Sequence, residues 1–290
     1  MTNEPSLSVA ARTLRPNEAE AAEAWAALVR AEKQQVDDLP NRPRPEDFYG
    51  PIADAFRADP RRTDEPLLES LRALVKQDET WIDVGAGGGR YTLPIALRAR
   101  RVYAVEPSQG MRNVLKASAR DNGIENIEVY DERWPSPESK APVADVAFIS
   151  QVGYDVAEFA GFSQQMEAHA RRMCLSLMFE HAPISDFAPL WKPVHGENRV
   201  LLPALAEMSA LLFARGRMPR VIESFDLAPR TFENVEALHR AVRRPLWVLE
   251  GTPEDARLAA AVRDMAVDVE GGVALSPRPR KLVFLAWEPR

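Results

Sequence analysis

Between residues 80 and 180 the sequence alternates short apolar runs with helix-length segments, and this alternation constrains the fold more than any other feature. The runs at 81–84 (WIDV), 101–106 (RVYAVE), 127–130, 143–150 and 174–179 have strand length. Between them, helical spacing appears at Leu93, Ile95, Ala96 and Leu97, at Met111, Val114 and Leu115, and across 159–171. Strands separated by helices predict βαβ units, right-handed crossovers and a parallel sheet covered on both faces. After His181 the alternation loosens. A helix is expected over 201–215, a sixth strand at 221–225 and a seventh at 282–287, with a hairpin-like stretch at 271–275.

The flanks divide the chain. Residues 1–78 read as a helical extension or cap. Asn17 opens a helix with Ala21, Ala22, Trp25, Leu28 and Val29 on one face. A Pro-, Asp- and Arg-rich loop with a short helix near 51–57 follows, and Phe48-Tyr49-Gly50 within it could line a lid. A second helix is expected after Thr63 and Asp64 as N-caps, with Pro66 in its first turn and Leu67, Leu68, Leu71, Leu74 and Val75 as its buried stripe. The main domain is then 79–290. Within it, 183–218 forms a cover segment, and 229–270 is a helical insertion between the last strands, offering a substrate wall or a homodimer contact.

Composition excludes several classes. With 46% apolar and 28% charged residues the chain is globular. A single cysteine, Cys174, rules out an internal disulfide framework and a multi-cysteine zinc site, and its apolar strand predicts an inert core thiol. The four histidines lack metal-ligand spacing, so no metal is expected. No apolar h-region opens the chain and no uninterrupted apolar run reaches membrane-spanning length, which predicts a soluble cytoplasmic protein. A net charge of −6 argues against a nucleic-acid partner. The excess of Arg over Lys suggests a GC-rich bacterial genome.

Chemistry is concentrated in one turn. Gly85, Gly87, Gly88 and Gly89 fall within five residues of a chain that has only 14 glycines in 290. They join the first strand to its helix, where backbone can turn tightly and approach a ligand. The dinucleotide fingerprint fails because its third glycine is Arg90, and the phosphate P-loop fails because no Lys follows. What stands is G-x-G-x-G, with Asp83 just before it and Glu106 ending the second strand, placed to accept both hydroxyls of a ribose.

Asp83-Val-Gly-Ala-Gly-Gly-Gly89, followed by Val105-Glu106-Pro107-Ser108-x-x-Met111, resembles the first two motifs of class I S-adenosylmethionine-dependent methyltransferases. The resemblance covers about 79–182 and the closing strands. It implies a Rossmann-like, doubly wound, seven-stranded α/β sheet, mostly parallel with an antiparallel last strand. It also implies that Gly85, Ala86, Gly87, Gly89 and Pro107 pass close to S-adenosylmethionine, that Asp83 lies near its amino group, that Glu106 holds the ribose, and that Met111 covers the adenine. The third motif departs from the family pattern: Arg133 stands where an acid is common, so Glu132 or Asp131, or the backbone of Arg133-Trp134, would serve the adenine, and Trp134 could wall it. Ser150 opens the loop that sits beside the transferred methyl in that family. Asn-Pro-Pro-aromatic is absent there, which also lowers the case for nucleic acid.

The implied activity is methyl transfer to a small-molecule acceptor. Transfer from a sulfonium needs position more than a catalytic side chain. Candidate bases are Tyr154, His181 and His195; His169 and His239 fall on helices. The competing readings are an NAD(P)-dependent oxidoreductase, which the missing third glycine disfavours, and a non-catalytic S-adenosylmethionine-binding protein of the same fold.

Overall fold

The structure is a computed structural model describing residues 16–40 and 47–289. In chain order it contains α1 (Glu18–Asp37), a 3-10 turn (Gly50–Phe56), α2 (Pro66–Leu74), β1 (Thr80–Val84), α3 (Thr92–Ala96) and β2 (Arg101–Val105). Next come α4 (Gln109–Asp121), β3 (Ile127–Tyr130), β4 (Ala144–Ser150), α5 (Phe159–Ala168) and β5 (Ala170–Phe179). A second 3-10 turn (Pro183–Phe187) leads into α6 (Ala188–His195), α7 (Leu205–Ala214), β6 (Arg220–Leu227), α8 (Val235–Arg243) and α9 (Pro253–Met265). The chain closes with β7 (Val267–Val269), β8 (Gly272–Ala274) and β9 (Arg280–Trp287).

Seven strands form one sheet in the order β3-β2-β1-β4-β5-β9-β6. The pairs among β1 to β5 are parallel, and β9 runs antiparallel to both β5 and β6. This is the expected doubly wound α/β sheet with an antiparallel last strand. The period-two alternation of strand side chains sorts the core into two layers. Ile82, Val84, Ala147, Ile149, Cys174, Met178, Val283 and Leu285 face one layer with Trp25, Phe159, Phe162, Met208 and Leu211 of α1, α5 and α7. Trp81, Val102, Ala104, Val146, Phe148, Leu175, Leu177 and Phe284 face the other with Leu67, Leu68, Leu71, Leu93 and Leu115 of α2, α3 and α4. The helices of 16–78 therefore pack into the two flanking layers. α1 is fixed by a capping box between Asn17 and Glu20, by Trp25 donating its indole N–H to the Val156 carbonyl at 2.8 Å, and by Trp25 stacked on Phe159.

A third core lies outside these layers. Phe187, Leu190, Trp191 and Val194 from the cover segment pack with Leu238, Val242, Leu246, Leu258 and Val262 of the insertion, and with Val36 at the end of α1. Cover and insertion thus share one apolar cluster within the chain.

Some boundaries differ from expectation. α5 stops at Ala168 and β5 begins at Ala170, so residues 170 and 171 are strand, not helix, and the strand starts four residues ahead of 174. Arg171 and Arg172 mimic an amphipathic helix end, but Ala170 pairs with Ala144 across a register shift. α9 ends at Met265, and Val267–Val269 pairs with β8 to make the hairpin expected near 271–275. α2 is capped by the backbone of Glu65, with no side-chain cap from Thr63 or Asp64.

Candidate functional site

The chain order moves from β1 out to β3 on one side and from β4 outward on the other, which makes the β1–β4 junction a topological switch point. Ligands of open α/β sheets bind at the carboxyl ends of strands at such a point. Here β1 ends in the glycine turn and β4 ends at Ser150. The two are pressed together at Gly85: its φ is +76°, and a Cβ there would sit 2.5 Å from a Val152 methyl carbon. Gly85 and Ala86 donate their N–H groups to the Val105 carbonyl at 2.7 and 3.1 Å, tying the turn to β2. Gly87 is different. Its φ is +56°, and a Cβ there would enter open space, so glycine is required by the backbone angle and leaves an uncovered main-chain edge. Gly89 closes the turn with an N–H donated to Ala86 at 3.0 Å.

Glu106 links the turn to the end of β2. One carboxylate oxygen accepts the Gly87 N–H at 2.8 Å, and the other accepts the Ser108 N–H at 2.8 Å. Burial raises its pKa, opposed by those two donors and by Arg112. Asp83 is buried and accepts the Thr92 hydroxyl at 2.6 Å. Burial pushes its pKa up to about 7, the Thr92 hydroxyl pulls it down, and the Glu106 charge adds to the rise. The site therefore holds two carboxylates, at the end of β2 and within β1, around one exposed glycine edge.

The second motif continues into the N-terminus of α4, where the Ser108 hydroxyl caps Met111 N–H at 3.2 Å. The Pro107 carbonyl accepts from Arg112 at 2.7 Å. Met111 is buried with Ala53 and Val114, beneath the 3-10 turn. One residue not singled out in the sequence joins here. Asp47 accepts the hydroxyl of Ser108 and the N–H groups of Tyr49, Gly50 and Gly110, so it staples the loop at 47–56 onto α4. Desolvation would raise its pKa, but the hydrogen bonds it accepts from Ser108, Gly110, Gly50 and Tyr49 hold its carboxyl below the usual range. The signal for it was an Asp ahead of a turn glycine, a local pattern that names no partner. From that loop Phe48 reaches the insertion, 5.5 Å from the Trp247 ring and 4.0 Å from the Arg244 guanidinium.

The third motif is arranged around other partners. Asp131 accepts two hydrogen bonds from Arg112, at 2.6 and 2.8 Å. Glu132 accepts from the Ser139 hydroxyl at 2.6 Å and the Lys140 N–H at 2.7 Å. Arg133 is exposed, and Trp134 is buried against His169, with ring centroids 4.7 Å apart. At the end of β4 the Ser150 hydroxyl is buried without a hydrogen-bond partner among the described residues. Gln151 follows in a left-handed backbone, φ 56°, a strained conformation for a residue other than glycine.

The candidate bases are dispersed. The Tyr154 hydroxyl is buried and accepts the Phe179 N–H at 2.8 Å, and burial pushes its pKa upward. His195 contacts the Leu246 carbonyl at 2.9 Å and the Trp191 ring, joining cover to insertion, and burial lowers its pKa. His181 is exposed just after β5. Cys174 is buried in the sheet, and burial drives its thiol pKa up. Among the described residues no group of three or more His, Cys, Asp or Glu side chains could hold a metal ion, and no helix is long and apolar enough to cross a membrane.

A family profile described as a methyltransferase domain matches residues 82–172, the span from β1 into β5. A Haemophilus influenzae protein described only as uncharacterized is 27% identical over 100 residues, 34% of this chain and 37% of that one. A tRNA/tmRNA (uracil-C(5))-methyltransferase from Stutzerimonas stutzeri is 42% identical over 57 residues, 20% of this chain and 16% of that one. The chain thus spans well under half the length of these relatives. Among solved structures, a putative methyltransferase from Bacillus halodurans superposes with a TM-score of 0.56 at 15% identity, covering 78% of this chain and 99% of that one. The YcgJ protein of Bacillus subtilis gives 0.54 at 16% identity, covering 77% and 97%. The glycine turn, the strand order and the matched span coincide: residues 82–172 match a methyltransferase-domain profile, and the sheet around them has the fold of these solved structures.

Proposed function

We propose that this chain transfers a methyl group from S-adenosylmethionine to a small-molecule acceptor by in-line displacement. The observation that carries the reading is the hydrogen bond from Gly87 N–H to Glu106 at 2.8 Å, which joins the open glycine edge to the ribose-type carboxylate. The donor set fits the cofactor. Each Glu106 oxygen keeps a lone pair for a ribose hydroxyl, Asp83 offers a buried carboxylate to a cationic amino group, and Gly87 leaves no side chain in the way. The nicotinamide alternative lacks its third glycine; Arg90 stands there and pairs with Glu65.

When bound, the sulfonium supplies an already activated methyl. What the chain's residues contribute is position and dryness, and orientation alone is worth ~7–11 kcal/mol. None of the three candidate bases is set to take a proton: Tyr154 is committed to Phe179 N–H, His195 to Leu246, and His181 is exposed to solvent. This favours an acceptor atom whose lone pair is already available at working pH.

The small-molecule part of the reading is supported by the −6 net charge and by the shared cluster of cover and insertion. The uracil methyltransferase named above gives RNA as the competing acceptor, on a match of 57 residues. A labelled-methyl transfer assay with two arms, metabolite extract and total tRNA, tests the choice. Label in the low-molecular-weight fraction is expected; label in the RNA alone would overturn it.

A further inference from the structure

Where β5 and β6 end and β9 begins, two arginines sit at the carboxyl edge with their hydrogen-bonding capacity nearly unspent. Phe179 pairs with Leu282, Glu180 N–H reaches the Lys281 carbonyl, and Leu227 pairs with Arg280, so Arg280, Arg230 and residues 180–187 crowd one end of the sheet. The Arg230 guanidinium lies over the Phe187 ring at 4.9 Å and the Arg280 guanidinium over the Phe179 ring at 5.2 Å. Ring stacking fixes each guanidinium by its face and leaves the N–H edges to point elsewhere.

Those edges find little. One carboxylate, Asp186, faces both arginines, at 3.8 Å from Arg230 and 4.0 Å from Arg280. These are ion-pair distances without hydrogen bonds, and the Asp186 Oδ2 is buried with no hydrogen-bond partner among the described residues. Elsewhere the same fold closes such pairs fully: Arg112 meets Asp131 at 2.6 and 2.8 Å, and Arg243 meets Asp255 at 2.8 and 3.1 Å. Arg230 donates no hydrogen bond among the described residues, and Arg280 donates one long one, to the Ala228 carbonyl at 3.4 Å. Two guanidinium groups against one carboxylate leave an excess positive charge in a half-buried place, where an unpaired charge is costly. An oxyanion between them would take the open N–H edges and balance that charge.

We propose that Arg230 and Arg280 form an anion-binding subsite that holds a carboxylate or phosphate of the methyl acceptor. Its position suits that role. Two strand spacings, about 10 Å, separate β9 from β4, and β4 ends at Ser150 beside the glycine turn. The assignment to the acceptor rests on the methyltransferase reading; the anion site itself does not.

The test titrates the full chain with inorganic phosphate, with benzoate and with uncharged benzamide, by calorimetry at low ionic strength. Saturable binding of phosphate or benzoate, but not benzamide, is expected, and the tighter of the two identifies the acceptor's group. Arg230→Gln and Arg280→Gln should each weaken it about tenfold. Asp186→Asn removes the competing carboxylate and should tighten anion binding severalfold, a gain that a damaged fold cannot produce. S-adenosylhomocysteine affinity, measured on every variant, should stay at the wild-type value. Anion affinity unchanged in the Arg230→Gln/Arg280→Gln double variant, no saturable binding of either anion at millimolar concentrations, or binding of an oligoribonucleotide alone would each overturn the proposal. Loss of S-adenosylhomocysteine binding in the wild type with anion binding intact would instead sink the methyltransferase reading.

Discussion

Replacing Glu106 tests the cofactor cleft with a magnitude that can be worked in advance. The carboxylate holds two backbone donors, Gly87 N–H and Ser108 N–H, each at 2.8 Å. In Glu106→Ala, Gly87 can turn to water because it is partly exposed, whereas Ser108 is buried and its N–H is orphaned. One dry unsatisfied donor costs about 1–3 kcal/mol, offset in part by relief of a buried charge. The variant should therefore unfold at lower urea but still fold. Binding suffers more. Two charge-assisted hydrogen bonds to ribose hydroxyls, at ~1.5–3 kcal/mol each, amount to a loss of roughly a hundredfold to ten-thousandfold in affinity. Glu106→Gln keeps the shape and one acceptor oxygen, so its loss should fall between wild type and Ala. Calorimetry with S-adenosylhomocysteine on all three proteins, with urea melts as the folding control, reads both effects. A folded Ala variant that binds within about threefold of wild type would refute the ribose role.

Other outcomes follow from the same geometry. Asp83, raised by burial to about 7, should be neutral below that pH and ionised above it. If its carboxylate receives the cofactor's cationic amino group, affinity rises between pH 6 and 8 and levels off above, approaching tenfold per unit at the acid end; Asp83→Asn should flatten the profile, and a flat wild-type profile would remove the role. Its contribution to stability runs oppositely, present below the ordinary aspartate value of 3.8 and lost as pH rises through about 7. At the far edge of the sheet, Glu167 accepts hydrogen bonds from Arg215, Arg217 and the Trp287 indole. Burial alone would raise its pKa, but Arg217 and Arg215 hold it below the usual range. Glu167→Ala leaves two buried guanidinium groups and should cost about 3–5 kcal/mol in urea unfolding, while S-adenosylhomocysteine affinity in the folded protein stays within twofold.

The first five strands were legible because each is a compact apolar run between helical segments. The start of β5 was not, because Arg171 and Arg172 at an exposed strand end look like a helix face. The edge strand β6 extends beyond 221–225 because its exposed alternate residues carry no apolar signal. Nothing local says that β9 inserts between β5 and β6, or that Phe187 to Val194 will share a core with Leu238 to Val262. In the site, Asp83, Gly87 and Glu106 could be found because one turn and one crossover bring them together at fixed spacing. Asp47, Arg230 and Arg280 could not, since their partners lie far away in sequence and only the fold brings them close.

The central claim is that the glycine edge and Glu106 bind S-adenosylmethionine. Calorimetric titration of the wild-type chain with S-adenosylhomocysteine, with NAD in a parallel cell, tests it most directly. One-to-one saturable binding of the sulfur nucleotide, and none of NAD, is the predicted result; silence toward S-adenosylhomocysteine at millimolar concentration would contradict it.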